Sequence, residues 1–291
     1  MNNKKIKSIN RAGSSHWVGD GFPVRNFFPS SGVDKDINPF LMLDYAGPAQ
    51  FKPSARPKGV GEHPHRGFET VTIAYQGSVE HKDSAGNQGI IHPGDVQWMT
   101  AGSGVVHEEM HEREFSKKGG EFEMIQLWVN LPSVHKMSSP RYQTLLSRDI
   151  ACVKLDQQGS IARVIAGTLQ DATGPANTFT PVSLIDLKLT GDSNVILPVT
   201  RGFNSALLFM EGEVEIDGAT LTDEPRLVLL DTAGDTIKIK SSRQSRLLFM
   251  AGEPINEPVA SYGPFVMNTK AEIFQAISDF QSGKMGRVHT P

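Results

Sequence analysis

Apolar residues in this chain recur mainly at every second position, in short runs. Thr70–Tyr75 (TVTIAY), Ile90–Met99 (IIHPGDVQWM), Met124–Leu131 (MIQLWVNL), Ser205–Met210 and Leu227–Leu230 are such segments. Gly, Pro, Asp or Asn breaks the pattern about every 8 to 12 residues. A period of two puts alternate side chains on opposite faces of an extended chain. Many short strands joined by turns predict an all-β sandwich or barrel. One helix is predicted at the end of the chain. Thr269-Lys-Ala-Glu272 has the capping-box pattern, in which the first hydroxyl and the later carboxylate each satisfy a free backbone N–H. Ile273, Ala276, Ile277 and Phe280 follow at helical spacing, and Gly283 supplies the stop. Their apolar stripe is expected to pack on a barrel.

The pattern repeats. HPHRGFETVTIAYQGSVEH (63–81) and PVTRGFNSALLFMEGEVEI (198–216) align at an offset of 135, from Arg66 to Arg201. Arg66-Gly67-Phe68, Gly77, Val79 and Glu80 match Arg201-Gly202-Phe203, Gly212, Val214 and Glu215: six identities in 19 positions. Thr100-Ala101-Gly102 recurs as Thr232-Ala233-Gly234, at an offset of 132. Two copies of one β unit follow, with the boundary between Pro140 and Ser160. The expected division is residues 1–145 for one barrel and 146–291 for a second barrel with the closing helix.

Composition narrows the function classes. Gly 28 plus Pro 18 is 46 of 291 residues, an excess that suits many turns. Lys+Arg 29 against Asp+Glu 32 gives a net charge of −3, which argues against direct nucleic-acid binding through bulk positive charge. Cys152 is the one cysteine, so neither an intrachain disulfide nor a cysteine zinc cluster can form, and a reducing, cytoplasmic location is expected. The N-terminal MNNKKIKSINRAGSSHW is basic without an apolar stretch and is not read as a secretory signal. No run reaches the length of a membrane span.

The nine histidines are His16, His63, His65, His81, His92, His107, His111, His135 and His289, and none lies between 136 and 288. His63-Pro64-His65 and His107-Glu108-Glu109 are i, i+2 pairs 44 residues apart, each presenting two donors on one face of a strand. On neighbouring strands, His63, His65, His107 and Glu109 would form an N₃O set. Such a set suits Fe, Mn, Ni, Cu or Zn rather than Ca or Mg and leaves coordination positions open. Glu69 is a rival carboxylate, and Glu108 should face away. Gly102-Ser103-Gly104 before His107 reads as a tight turn into a strand rather than a phosphate cradle, because no strand-to-helix step accompanies it. His81 and His92, beside turns, read as surface or supporting residues. His111 is weighed for a pocket role, while His16, His135 and His289 read as structural or solvated. Arg66 recurs as Arg201, which points to a structural job at the turn. In the second copy His63, His65, His107 and Glu109 become Pro198, Thr200, Ile239 and Ser241. Joint loss of four donors, with the scaffold residues kept, is what a metal site switched off in one copy would leave.

Gly61, His63, His65, Glu69 and Gly77, then the turn leading to His107, approximate the two cupin motifs. HPHRGFET (63–70), PGDVQWMTAGSGVVHEEM (93–110), QLWVNLP (126–132), AGEPINEP (251–258) and GPFVMNT (263–269) resemble the pirin family of bicupins more closely. The resemblance implies two tandem cupin barrels with a C-terminal helix, and one divalent transition metal in the first. Iron is the expected ion, with Mn, Ni, Cu, Zn and Co as alternatives. It places the ligands at His63, His65, His107 and Glu109, favouring Glu109 over Glu69. It also implies either of two activities. One is a dioxygenase resembling quercetin 2,3-dioxygenase, opening a flavonol-type ring with O₂ and releasing carbon monoxide. The other is an iron- or redox-responsive regulator acting through protein partners. In the enzyme reading Glu109 takes the proton of the metal-bound hydroxyl, with Glu69 as substitute. Phe68, Trp98, Met124 and Trp128 then wall the cavity, core packing being the competing role of each.

Overall fold

In the computed structural model, which describes residues 2–29, 32 and 34–288, the alternating segments become strands. Thr70–Tyr75 lies within the strand Phe68–Gln76, Met124–Leu131 largely within Gly120–Asn130, and Ser205–Met210 within Asn204–Ile216. The segment Ile90–Met99 is two strands, because a turn closed by Asp95 N–H on the His92 carbonyl (2.8 Å) separates Gln88–Ile91 from Val96–Thr100. His289 lies outside the described residues. Among the described residues, no helix is long and apolar enough to cross a membrane.

Two compact units form. One comprises residues 14–26, 40–147 and 255–291, the other residues 1–13, 27–39 and 148–254. The change at Ser147/Arg148 lies inside the interval the repeat suggested, but the simple cut into 1–145 and 146–291 needs correcting at both termini. Ile6–Asn10 is a strand of the histidine-free unit, paired with Arg226–Leu230. The C-terminal helix belongs with the histidine-bearing unit. The local signals for these elements are correct, but where a terminal segment docks is a long-range packing choice that local sequence does not encode.

The histidine-bearing unit has two sheets. Seven strands run in the order Arg141–Leu145, Val96–Thr100, Phe68–Gln76, Gly120–Asn130, Phe40–Phe51, Phe22–Phe28, Ser15–Val18. Four run in the order Gly59–His65, Val105–His111, Val79–Asp83, Gln88–Ile91. The helix Lys270–Gln281 starts with the expected capping box between Thr269 and Glu272. It buries Ile273 and Ala276 against Val106, Phe265, Met267 and Met285. Arg66 has the expected structural role. Its Nη1 meets Asp279 of the helix at 2.9 Å, and its Nε donates to the Ser103 carbonyl at 2.7 Å.

The other unit is built on one nine-stranded sheet. Its long strands Asn204–Ile216 and Thr236–Gly252 pair with register shifts near Glu211 and Glu213, irregularities that bend a sheet. Its core holds an apolar cluster, with Leu187, Val195, Leu207, Phe209, Ile239 and Phe249 all buried. The repeat is visible in the backbone too: Gly67 and Gly202 have φ of +87° and +88°, a region where only glycine is comfortable.

Candidate metal centre

The two i, i+2 pairs meet because their strands are neighbours. Gly59–His65 runs antiparallel to Val105–His111, with His107 opposite His63 and Val105 opposite His65. On its other edge Val105–His111 pairs with Val79–Asp83, setting Glu109 opposite His81 and Glu108 opposite Lys82. Glu108 faces away as expected and lies 3.9 Å from Lys82. The ligand atoms of His63, His65 and His107 lie within 4.8 Å of one another. The Nε2 atoms of His63 and His107 are 2.9 Å apart. Two nitrogens bound about 2.1 Å from one ion at a right angle would lie about 3 Å apart, so this pair fits a shared cation. Burial, and next the neighbouring His63, hold His65 and His107 well below the ordinary imidazole range. Both rings are therefore neutral, as metal coordination requires.

Glu109 falls in an adjoining cluster. Its carboxylate lies within 4.8 Å of His107 and His81 and is held by side chains from the facing sheet. Oε1 accepts from the Gln97 amide and from the Thr72 hydroxyl (3.1 Å), while Oε2 has a long contact to the Gln126 amide (3.4 Å). Tyr142 O–H in turn donates to Gln97 Oε1 at 3.1 Å. His81 takes the second of its two expected roles, as a supporting residue. It is buried rather than at the surface, stacked on Tyr142 with centroids 4.5 Å apart, with Nε2 3.2 Å from Asp83 and Nδ1 3.3 Å from His107 Nδ1. It lies mid-strand in Val79–Asp83 rather than at a turn, on the face paired with Glu109. His92 is exposed and meets Ser78.

Strand alternation sorts the remaining candidates. Thr72 pairs with Gln97 and Gln126, so all three share the face that looks at Glu109. Phe68 and Trp128 are on that face too, with ring centroids 5.1 Å and 5.3 Å from His65. Glu69 and Trp98 occupy the opposite face, with Val71, because Trp98 pairs with Val71 and Glu69 is one residue out of step with Thr70 and Thr72. Glu69 is buried there, accepting from Thr100 Oγ1 at 2.7 Å with Arg141 Nη2 at 3.8 Å, and burial raises its pKa to about 7. Met124 packs with Phe22, Phe51 and Phe122 in the core. His111 joins the same cluster, its Nε2 2.9 Å from the Gly21 carbonyl, and burial lowers its pKa to about 4. It packs in this aromatic core and is not among the clustered metal-ligand residues.

Thr72, Gln97 and Gln126 did not figure among the sequence candidates. The signal was present: each is a polar residue set between apolar neighbours, Val71 and Ile73, Val96 and Trp98, Ile125 and Leu127. Thr70 Oγ1, on the same face, is buried without a hydrogen-bond partner among the described residues. Neutral imidazoles, a carboxylate and an unused hydroxyl suit a divalent transition metal with a coordinated oxygen ligand.

Comparison with known proteins agrees. The Pirin family model matches residues 21–129 and that of the Pirin C-terminal cupin domain residues 184–286. A Pseudomonas aeruginosa protein named "Putative quercetin 2,3-dioxygenase" is 48% identical over 98% of this chain and 100% of its own. Human pirin is 40% identical over 87% of this chain and 84% of its own. The crystal structure of quercetin 2,3-dioxygenase from Acinetobacter baumannii superposes with a TM-score of 0.95 at 48% identity, covering 99% of this chain and 100% of that one. Two tandem cupin-type units, a closing C-terminal helix and a His/Glu cluster able to hold a metal in the first unit accompany these matches, and the chain belongs to the pirin family.

Proposed function

We propose that the protein is an iron-dependent dioxygenase that opens a flavonol-type ring with O₂. The observation that carries the reading is the cluster of His63, His65 and His107 next to a carboxylate held by hydrogen bonds. His63, His65, His107 and Glu109 would hold the divalent metal, which would supply acidification of a bound hydroxyl and an electron path between an electron-rich ligand and O₂. Glu109 has the geometry of a proton acceptor. Oε1 is engaged by Gln97 and Thr72, and Oε2 is the less engaged oxygen, free to take the substrate's hydroxyl proton. The Gln97 amide donates to Oε1 and the Gln126 amide lies 3.4 Å from Oε2, contacts that keep the carboxylate aimed. Phe68 and Trp128, with centroids 4.3 Å apart beside His65, offer an apolar flank for a planar aromatic substrate. His63 is partly exposed while His65 and His107 are buried, so the cluster faces outward on the His63 side.

An oxygen electrode tests this. Iron-loaded protein with quercetin should consume O₂, and His63→Ala should abolish the uptake with loss of bound iron. Glu109→Gln should slow turnover by a factor of about 10² or more, the usual worth of a positioned base. Iron-loaded protein that turns over no flavonol would overturn the reading.

A further inference from the structure

The histidine-free unit has a cavity of about 310 Å³, and the repeat shows where it lies. Pro198 and Thr200, the counterparts of His63 and His65 at the offset of 135, line it. Strand register gives a second, independent alignment. Trp128 pairs with Thr70 and Gln126 with Thr72 in the first unit. In the second, Ala251 pairs with Ser205 and Phe249 with Leu207. Ser205 and Leu207 are Thr70 and Thr72 plus 135, so Ala251 stands for Trp128 and Phe249 for Gln126. Both residues line the cavity. It is the metal centre's counterpart, with the donors removed and an indole reduced to a methyl group.

We propose that this cavity is a second ligand site, for a neutral ring-sized molecule carrying one hydrogen-bonding group, such as a phenol. Three observations define that chemistry. The floor is apolar, since Ile185, Val199, Phe249 and Ala251 are all nearly inaccessible to solvent. The rim is uncharged and hydroxyl-bearing, with Ser183 and Thr200, and no Asp, Glu, Lys or Arg lines the cavity. Behind the lining, Ser205, 1% exposed, has a hydroxyl without a hydrogen-bond partner among the described residues. It shares a face with its cross-strand neighbour Ala251. A buried unpaired hydroxyl is costly, and a ligand hydroxyl seated beside Ala251 would satisfy it. The volume is at the lower end of small-molecule sites, enough for one or two fused rings. No metal donor lines the cavity, so occupancy is independent of metal.

The test is methyl NMR of the full-length protein with ¹³C-labelled threonine, titrated with phenol, indole, benzoate and benzylamine. Thr200 and Thr168, another lining residue, report the cavity directly. Phenol and indole should shift both methyls saturably, with affinities of millimolar order for molecules of this size, in metal-free and metal-loaded protein alike and equally in His63→Ala. Benzoate and benzylamine should bind at least tenfold more weakly. Ser205→Ala should weaken phenol several-fold and leave toluene unchanged. Ala251→Leu, which fills the floor, and Thr200→Trp, which plugs the exposed rim without touching the core, should each cost tenfold or more. Absence of saturable shifts at Thr168 and Thr200, or shifts that survive both filling variants in folded protein, would overturn the proposal. Loss of binding in His63→Ala would also overturn it, by placing the ligand in the other unit.

Discussion

Replacing Glu69 by Gln separates the two carboxylates that sequence alone left in competition. Glu69 is 1% exposed, and burial raises its pKa from 4.5 to about 7. The folded state therefore holds a proton between those pH values that the unfolded state releases. A raised folded-state pKa makes stability fall as pH rises through this window, because the native state binds more protons there. The separation is about 2.5 units, and at about 1.36 kcal/mol per unit the ionised side chain costs the fold about 3 kcal/mol above pH 7. Gln removes that titration and keeps an oxygen for the Thr100 hydroxyl. It gives up the Arg141 contact at 3.8 Å, which is partly exposed and worth at most about 1 kcal/mol. Glu69→Gln should accordingly stabilise the protein by about 2 kcal/mol at pH 8 and change little near pH 4.5. Urea unfolding of the metal-free protein at both pH values measures the difference. Metal content measured in parallel should be unchanged in Glu69→Gln and reduced in Glu109→Gln. Equal stability changes at the two pH values would refute the burial argument, and loss of metal in Glu69→Gln would refute the assignment of faces.

Arg66→Ala should cost about 2 kcal/mol, since Asp279 loses its guanidinium donor while keeping Lys284 and Gln275, and hydrogen exchange should quicken first in Lys270–Gln281. Gly67→Ala and Gly202→Ala share a left-handed φ but should differ in thermal unfolding. A Cβ at Gly67 would lie 2.0 Å from the Val266 carbonyl oxygen, whereas nothing lies within 4 Å at Gly202. The second variant should cost only the conformational penalty of about 1–2 kcal/mol, and the first clearly more. Gln97→Leu, which removes an amide donor to Glu109, should weaken metal binding about tenfold or more in calorimetric titration, with the far-UV circular dichroism unchanged.

Much of this architecture is legible in the chain because the relevant physics is local. Alternation marks the strands, the capping box marks the terminal helix, and i, i+2 spacing puts His63 beside His65. Strand neighbourhood had to be assumed for those pairs to meet His107, and the repeat helped by showing which residues were scaffold. What local sequence does not carry is register and docking. Glu69 and Trp98 were plausible site residues until pairing with Thr100 and Val71 put them on the far face. His81 was judged by its turn, but stacking on Tyr142 from another strand decides its burial. The terminal helix was correct as a helix and misassigned in its partner, because its apolar stripe fits any apolar surface and only Val106, Phe265 and Met285 show which one it covers.

The two copies show how one backbone can hold two interiors. Gly67 and Gly202 keep the same φ, and Gly77 and Gly212 both stay left-handed at +76° and +104°, so the turns that shape each unit are fixed by glycine and not by what fills it. The inward positions obey a different constraint. In the first unit Thr72, Gln97 and Gln126 are tolerated inside because Glu109 gives their hydrogen-bonding groups partners. Take the carboxylate away and Thr72, Gln97 and Gln126 would still bond one another, but the Gln97 amide would lose a charged acceptor, at about 1–3 kcal/mol. The polar shell and its charge therefore support each other. The second unit has lost both: Ser241 stands for Glu109 at the 132 offset, while Leu207 and Phe249 stand for Thr72 and Gln126. Restoring histidines at Pro198 and Thr200 alone would thus put imidazoles above an apolar floor with no carboxylate to complete the set. Pro198→His/Thr200→His protein should bind no second metal ion in a titration that loads the first site, whereas a second equivalent of bound metal would show that the inner shell is dispensable.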